Sequence, residues 1–139
     1  MTLVVVDASV LASVAAGHPN SPSSRLFAAI LDGPIEFVAC PRLLTELERT
    51  LEKRYFVVRS SPQQRTDYRV LVAERAVMYA DPVAPPRVLR DADDDYLVAL
   101  ARSAAAEVII TGDRDLLDHE GLEPPALTPR AACERFGLP

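Results

Sequence analysis

The segment "RDADDDYLVAL" (90–100) packs Asp91, Asp93, Asp94 and Asp95 into five positions and then turns apolar. Two like unit charges about 4 Å apart at an effective dielectric near 20 repel by roughly 4 kcal/mol. Such groups either face water or gather around something positive. Three further acids stand at suggestive places. Asp7 directly follows the apolar run "LVVV" (3–6), and Asp113 follows "EVIIT" (107–111) after one glycine. Glu46 borders the helical stripe formed by Leu43, Leu44, Leu47 and Leu51. Hard oxygen donors without a histidine or cysteine cluster favour Mg²⁺ or Mn²⁺. An ion held by several carboxylates polarises a phosphodiester, activates water and steadies a leaving oxyanion. The chemistry that suits these residues is therefore metal-assisted phosphodiester hydrolysis.

Each acid alone also has a structural explanation. Asp7 suits a helix cap and Asp113 a turn. The helix dipole favours an aspartate in a first turn by ~0.3–1 kcal/mol. That accounts for one or two of the four in the cluster, not for all of them.

The elements decide whether the acids can meet. "LVVV" reads as a buried parallel strand, "IEFVA" (35–39) as a second and "EVIIT" as another, with "ALT" as a short last one. A first helix follows Asp7, through about Gly17. "NSPSSRLFAAILDG" offers Ser21 as cap, Pro22 in the first turn and Gly33 as terminator. Pro41 opens the helix with the leucine stripe, and residues 62 to 77 form another, starting at "SPQQ". "YADPVAPPRVLR" holds three of the 12 prolines and reads as a strand end and then an extended connection. "DDYLVALARSAAA" is a helix, "GDRDLLDHEG" a tight turn with a short helix, and Pro129 opens a terminal helix. Alternating strands and helices predict one three-layer α/β/α domain over residues 1–139 with a mostly parallel sheet. Right-handed crossovers place Asp7, the Glu46 helix, the Asp91–Asp95 helix start and Asp113 all at the carboxyl edge, where such sheets bind ligands.

The bulk composition bounds the rest. A chain of 139 residues, 49% hydrophobic and 25% charged, suits one folded domain. No apolar run approaches the 18 residues of a membrane span, and the opening residues lack a secretory pattern. Cys40 and Cys133 have no CxxC spacing, which excludes a zinc ribbon and reads as two buried thiols of a cytoplasmic protein. His18 and His119 fall in loop or turn regions and read as surface residues. A net charge of −5 argues against nucleic-acid binding only if the acids are spread evenly. Seven acids gathered in one site would leave 13 against 15 basic groups elsewhere, 14 of them arginine.

Other acidic sites fit less well. A calcium loop beginning at Asp91 would need glycine where Tyr96 stands and glutamate where Arg102 stands. A haloacid-dehalogenase-like phosphatase or phosphotransferase needs a second aspartate two residues after the first, where this chain has Ser9. A two-component receiver needs a lysine after a late strand, but the one lysine is Lys53. A non-catalytic module whose acids bind a basic partner is the remaining alternative.

The ordered set "VVVDASV", "LLTELERTL", "DDDYLVALA" and "VIITGDRDLL", with "ALTPRAACERF" trailing, resembles the PIN-domain family over essentially the whole chain. The resemblance implies a sheet ordered 3-2-1-4-5 and a Mg²⁺- or Mn²⁺-dependent ribonuclease acting on single-stranded RNA. The wording looks most like a VapC-type toxin subgroup, which implies an antitoxin partner and a homodimer. Carried over residue by residue, it implies Asp7, Glu46, Asp95 and Asp113 as the metal-binding catalytic acids. The 18-residue interval from Asp95 to Asp113 matches the family's step and selects Asp95 over Asp94. Ser9 and Thr111 would orient the first carboxylate or a water on the metal. Asp115, Asp91 and Asp94 would be further ligands or holders of a second ion, and Arg114 a candidate phosphate contact. On this reading alanine at Asp7 or Asp95 removes activity and leaves the fold intact or more stable.

Overall fold

A computed structural model describes residues 2–139. Its centre is a strand whose last three residues have no room for water. β1 (Thr2–Val6) buries Val4, Val5 and Val6 and pairs on one side with β2 (Ile35–Ala39) and on the other with β4 (Val108–Ile110). β3 (Val77–Met78) adds beside β2, and β5 (Ala126–Leu127) beside β4. All four pairings are parallel, and the order is β3-β2-β1-β4-β5, as the family resemblance implied. A parallel sheet covered on both faces needs continuous apolar strands, which "VVV" and "VII" supply.

α1 (Ala8–Ala15), α2 (Pro22–Asp32), α3 (Pro41–Leu51) and α5 (Pro62–Arg75) pack against one another on one side, and α8 (Pro129–Arg135) returns onto α2. α6 (Asp95–Ser103) packs on β1, β2 and β4. Right-handed crossovers put it on the opposite face, completing three layers. α2 starts where Ser21 accepts a hydrogen bond from the Ser24 amide at 3.2 Å, and it stops at Gly33, whose φ of +101° suits glycine. Ser61 and Gln64 close a reciprocal capping box at the start of α5. In α3, Leu43, Leu47 and Leu51 are fully buried, each worth about 1.5–3 kcal/mol. The opposite face of α3 carries Arg42, Thr45 and Arg49 into solvent.

Several boundaries differ from expectation. The helix read over 62–77 ends at Arg75, because Val77 and Met78 align with Val38 and Ala39 to form β3. The first helix ends at Ala15. A short helix, α4 (Arg54–Val57), follows α3 unannounced by any apolar period. A 3₁₀ turn, Ala92–Asp94, precedes α6, and α7 (Arg114–Leu117) fills the turn after β4. Both edge strands have only two residues, and prolines lie close by: Pro82 after β3, and Pro124, Pro125 and Pro129 around β5. None of the helices is long and apolar enough to cross a membrane.

Candidate functional site

Asp7 leaves β1 at the carboxyl edge, its amide donating to the Ile110 carbonyl of β4 at 2.9 Å. Thr111, fully buried one residue beyond β4, donates its hydroxyl to Asp7 Oδ2 at 2.8 Å and accepts the Asp113 amide at 3.0 Å. One hydroxyl thus ties the acids of two strands together. Asp113 caps α7 by accepting the Asp115 amide at 2.9 Å through one oxygen. Burial pushes the Asp7 carboxyl above its usual range, and the Asp113 charge adds to this, partly offset by the Thr111 hydrogen bond.

The two aspartates at the α6 start go opposite ways. Asp95 is 1% exposed, and its Oδ1 accepts the Val88 and Leu89 amides at 3.1 and 2.7 Å. Its Oδ2 lies 3.2 Å from the Arg87 Nε. The carboxylate chosen from sequence is thus turned inward, pinning the proline-rich connection, and does not join the cluster. Asp94 does. Burial lifts its carboxyl to about 7, helped by an Asp113 carboxyl within hydrogen-bonding reach and by the charges of Asp113, Asp7 and Asp91. Successive helical residues point about 100° apart, so only one of such a pair can face the cluster. The neighbouring α6 residues Tyr96, Leu97, Val98, Leu100 and Ala101 are all buried. No one-sided stripe existed from which to choose between the two aspartates, and the partners of Asp95 are backbone amides, which leave no mark in sequence.

Glu46 reaches the same edge from α3. The Tyr96 hydroxyl of α6 donates to its Oε2 at 2.6 Å, while Arg42 approaches its Oε1 at 3.9 Å. Burial, then the hydrogen bond to Glu46 and the charges of Glu46 and Asp7, keep the Tyr96 phenol protonated. Sequence reading passed over Tyr96 and Arg42; an aromatic directly after an acidic run, facing a cation one turn before Glu46, is the signal that could have found them. Ser9 is exposed in the first turn of α1. Asp115 contributes its amide to Asp113. Asp91 is exposed and caps the 3₁₀ turn through the Asp93 amide. Arg114 pairs with Asp118 at 2.8 Å, and both histidines are exposed. Cys40 and Cys133 are free and buried, and burial pushes the Cys40 thiol up to about 11, leaving it unreactive near neutral pH.

Asp7, Asp94 and Asp113 therefore lie close enough for their charges to act on one another, and Tyr96 links this group to Glu46. Among the described residues no ion pair neutralises Asp7, Asp94 or Asp113. Nor do three Asp, Glu, His or Cys side chains there form a ready-made metal cage. An open carboxylate cluster still fits Mg²⁺ or Mn²⁺, because such ions keep several waters and need only one or two protein carboxylates. Burial first, and then the charges of neighbouring acids, raise the Asp94 and Asp7 carboxyls, and a cation among them would offset both effects. With four acids in the cluster, 16 face 15 basic groups over the rest of the chain, so the remainder is near neutral and not basic as the seven-acid reading implied.

A parallel 3-2-1-4-5 sheet with carboxylates at its carboxyl edge defines an α/β protein whose ligand site lies at that edge. Residues 3–115 match the sequence model of the PIN domain, and the chain belongs to that family, whose members are generally nucleases. The fold is similar to the crystal structure of PAE2754 from Pyrobaculum aerophilum, with a TM-score of 0.67 at 20% identity over 98% of this chain and 90% of that one. No curated protein is significantly similar in sequence.

Proposed function

We propose that the protein is a Mg²⁺- or Mn²⁺-dependent endoribonuclease acting on single-stranded RNA, and the cytoplasmic toxin of a toxin–antitoxin pair. The observation that carries the nuclease reading is the meeting of Asp7, Asp94 and Asp113 without a basic partner. Asp7, Asp94 and Asp113 would hold the ion, with Glu46 beside them; this replaces Asp95 in the set. When bound, a divalent ion supplies charge neutralisation and a lowered pKa for an attacking water. Thr111 holds the Asp7 carboxylate with its hydroxyl and the Asp113 backbone with the same oxygen, tying the two positions together. The Asp94 carboxyl, lifted by burial and by the neighbouring acids, holds its proton part of the time near neutral pH, and a cation beside it would favour its release. Glu46, fixed at one oxygen by Tyr96, keeps its other oxygen available to orient water or accept its proton. The toxin assignment, with its antitoxin and homodimer, rests on the likeness of the acidic segments to that subgroup.

The test is cleavage of a labelled single-stranded RNA. Cleavage is expected with Mg²⁺ or Mn²⁺, abolished by chelator, and reduced at least 100-fold by Asp7→Asn or Asp113→Asn, on the scale of losing a principal catalytic group. Cleavage persisting in chelator or in both variants overturns the proposal. Induced expression should arrest growth, and the Asp7→Asn chain should not; unchanged growth with the parent chain removes the toxin assignment alone.

A further inference from the structure

Beside the acids, an open groove of about 550 Å³ runs along α3, lined by Arg42, Thr45, Glu46, Arg49, Asp81 and Asp93. Residues 42, 45, 46 and 49 follow the spacing of one helix face, opposite the buried leucines. Glu46 lines this groove, and the Tyr96 phenol bonded to it feels the charges of both Glu46 and Asp7, so the groove lies beside the acid cluster.

The groove's charges are unequally engaged. Asp81 is occupied by the Arg42 backbone amide at 2.8 Å and so anchors the first turn of α3. The Arg42 guanidinium lies 4.2 Å over the Tyr96 ring and donates to the Asp93 carbonyl at 2.9 Å. Its contact with Glu46 is long, at 3.9 Å, and its side chain stays 41% exposed. An arginine fixed by an aromatic face and a carbonyl keeps much of its fork free for an incoming anion. Among the described residues Arg49 has no ion pair. The two arginines are seven residues apart on one helix, about 10 Å along its axis.

We propose that this face of α3 is the track for the strand being cut, Arg42 and Arg49 each gripping a phosphate that flanks the one presented to the acids. The inference rests on the nuclease reading, since a phosphodiester at the acid cluster brings the neighbouring phosphates of its strand to the surfaces around that cluster, this groove among them. The groove is the polar, arginine-bearing surface adjoining that point. An arginine fork matches phosphate oxygens in pairs, while Thr45 adds an exposed hydroxyl between the two cations.

The test is salt-dependent binding of a uridine-rich single-stranded RNA by fluorescence anisotropy in Mg²⁺, with Asp7→Asn as background so that the strand survives. Each lost phosphate contact on a single strand flattens the slope of log affinity against log salt by about 0.7. Arg42→Gln and Arg49→Gln should each show that change, and the double variant about 1.4. Arg135→Gln, which removes a pair with Glu107 at the amino edge, should leave the slope alone. In the otherwise unaltered chain, Arg49→Gln should raise KM with kcat held. Slopes unchanged in both groove variants overturn the track and leave the acid site standing. Failure of the background chain to bind any strand at low salt overturns both.

Discussion

Asp94 and Asp95 are neighbours in sequence with opposed energetics. Asp95 satisfies two backbone amides from a buried position, so Asp95→Ala leaves both without acceptors and should cost about 2–4 kcal/mol in urea unfolding. That reverses the expectation that alanine there leaves the fold intact. Asp94 has its carboxyl lifted to about 7, by burial first and then by Asp113. Between about pH 4 and 7 the folded chain holds a proton that the unfolded chain has released, so this group's contribution makes stability fall as pH rises through that window. In chelator, Asp94→Asn should melt above the parent near pH 8 and together with it near pH 4. Equal melting temperatures at both pH values would show that Asp94 is not crowded by charge. Thr111→Val keeps the shape and removes the hydroxyl shared by Asp7 and Asp113. Loss of such an orienting partner should lower metal affinity or cleavage about 10–100-fold, read by Mn²⁺ titration and initial rates.

At the scale of elements, caps and apolar runs were legible while the orientation of single side chains was not. Ser21, Pro22 and Gly33 bounded α2 correctly because capping is a local hydrogen-bond problem. Strands β1 and β4 were legible as continuous apolar runs between polar residues. β3 was read as a strand end from Tyr79, with Val77 given to the preceding helix, since two residues carry no period and their pairing with Val38 and Ala39 is a tertiary matter. A 3₁₀ turn at Ala92–Asp94 precedes α6, and the Val88 and Leu89 amides hold Asp95 inward, neither of which shows in an apolar period. The capping box of α5 offers a clean check. Ser61→Ala should cost about 1 kcal/mol in denaturant midpoint and leave cleavage unchanged, because the cap lies away from the acids. A loss of cleavage at constant stability would instead connect α5 to the site.

For the whole molecule, the proposed site would make the folded state a cation receptor, because only folding gathers the acids at one sheet edge. Binding at 100 times the dissociation constant adds about 2.7 kcal/mol to the folded state. Mg²⁺ or Mn²⁺ should therefore raise the melting temperature of the parent chain, and should do little for an Asp7→Asn, Asp113→Asn chain. An equal rise in both would place the ion elsewhere. The sheet's two borders carry a different consequence. β3 and β5 each present a mere two residues, hemmed by prolines that have no amide to donate. An extended segment from another protein would find almost no backbone ladder to join, so strand augmentation is closed as a docking mode. Whatever protein grips this molecule has to do so through helix faces and loops, where recognition is written in side chains and single substitutions can break it.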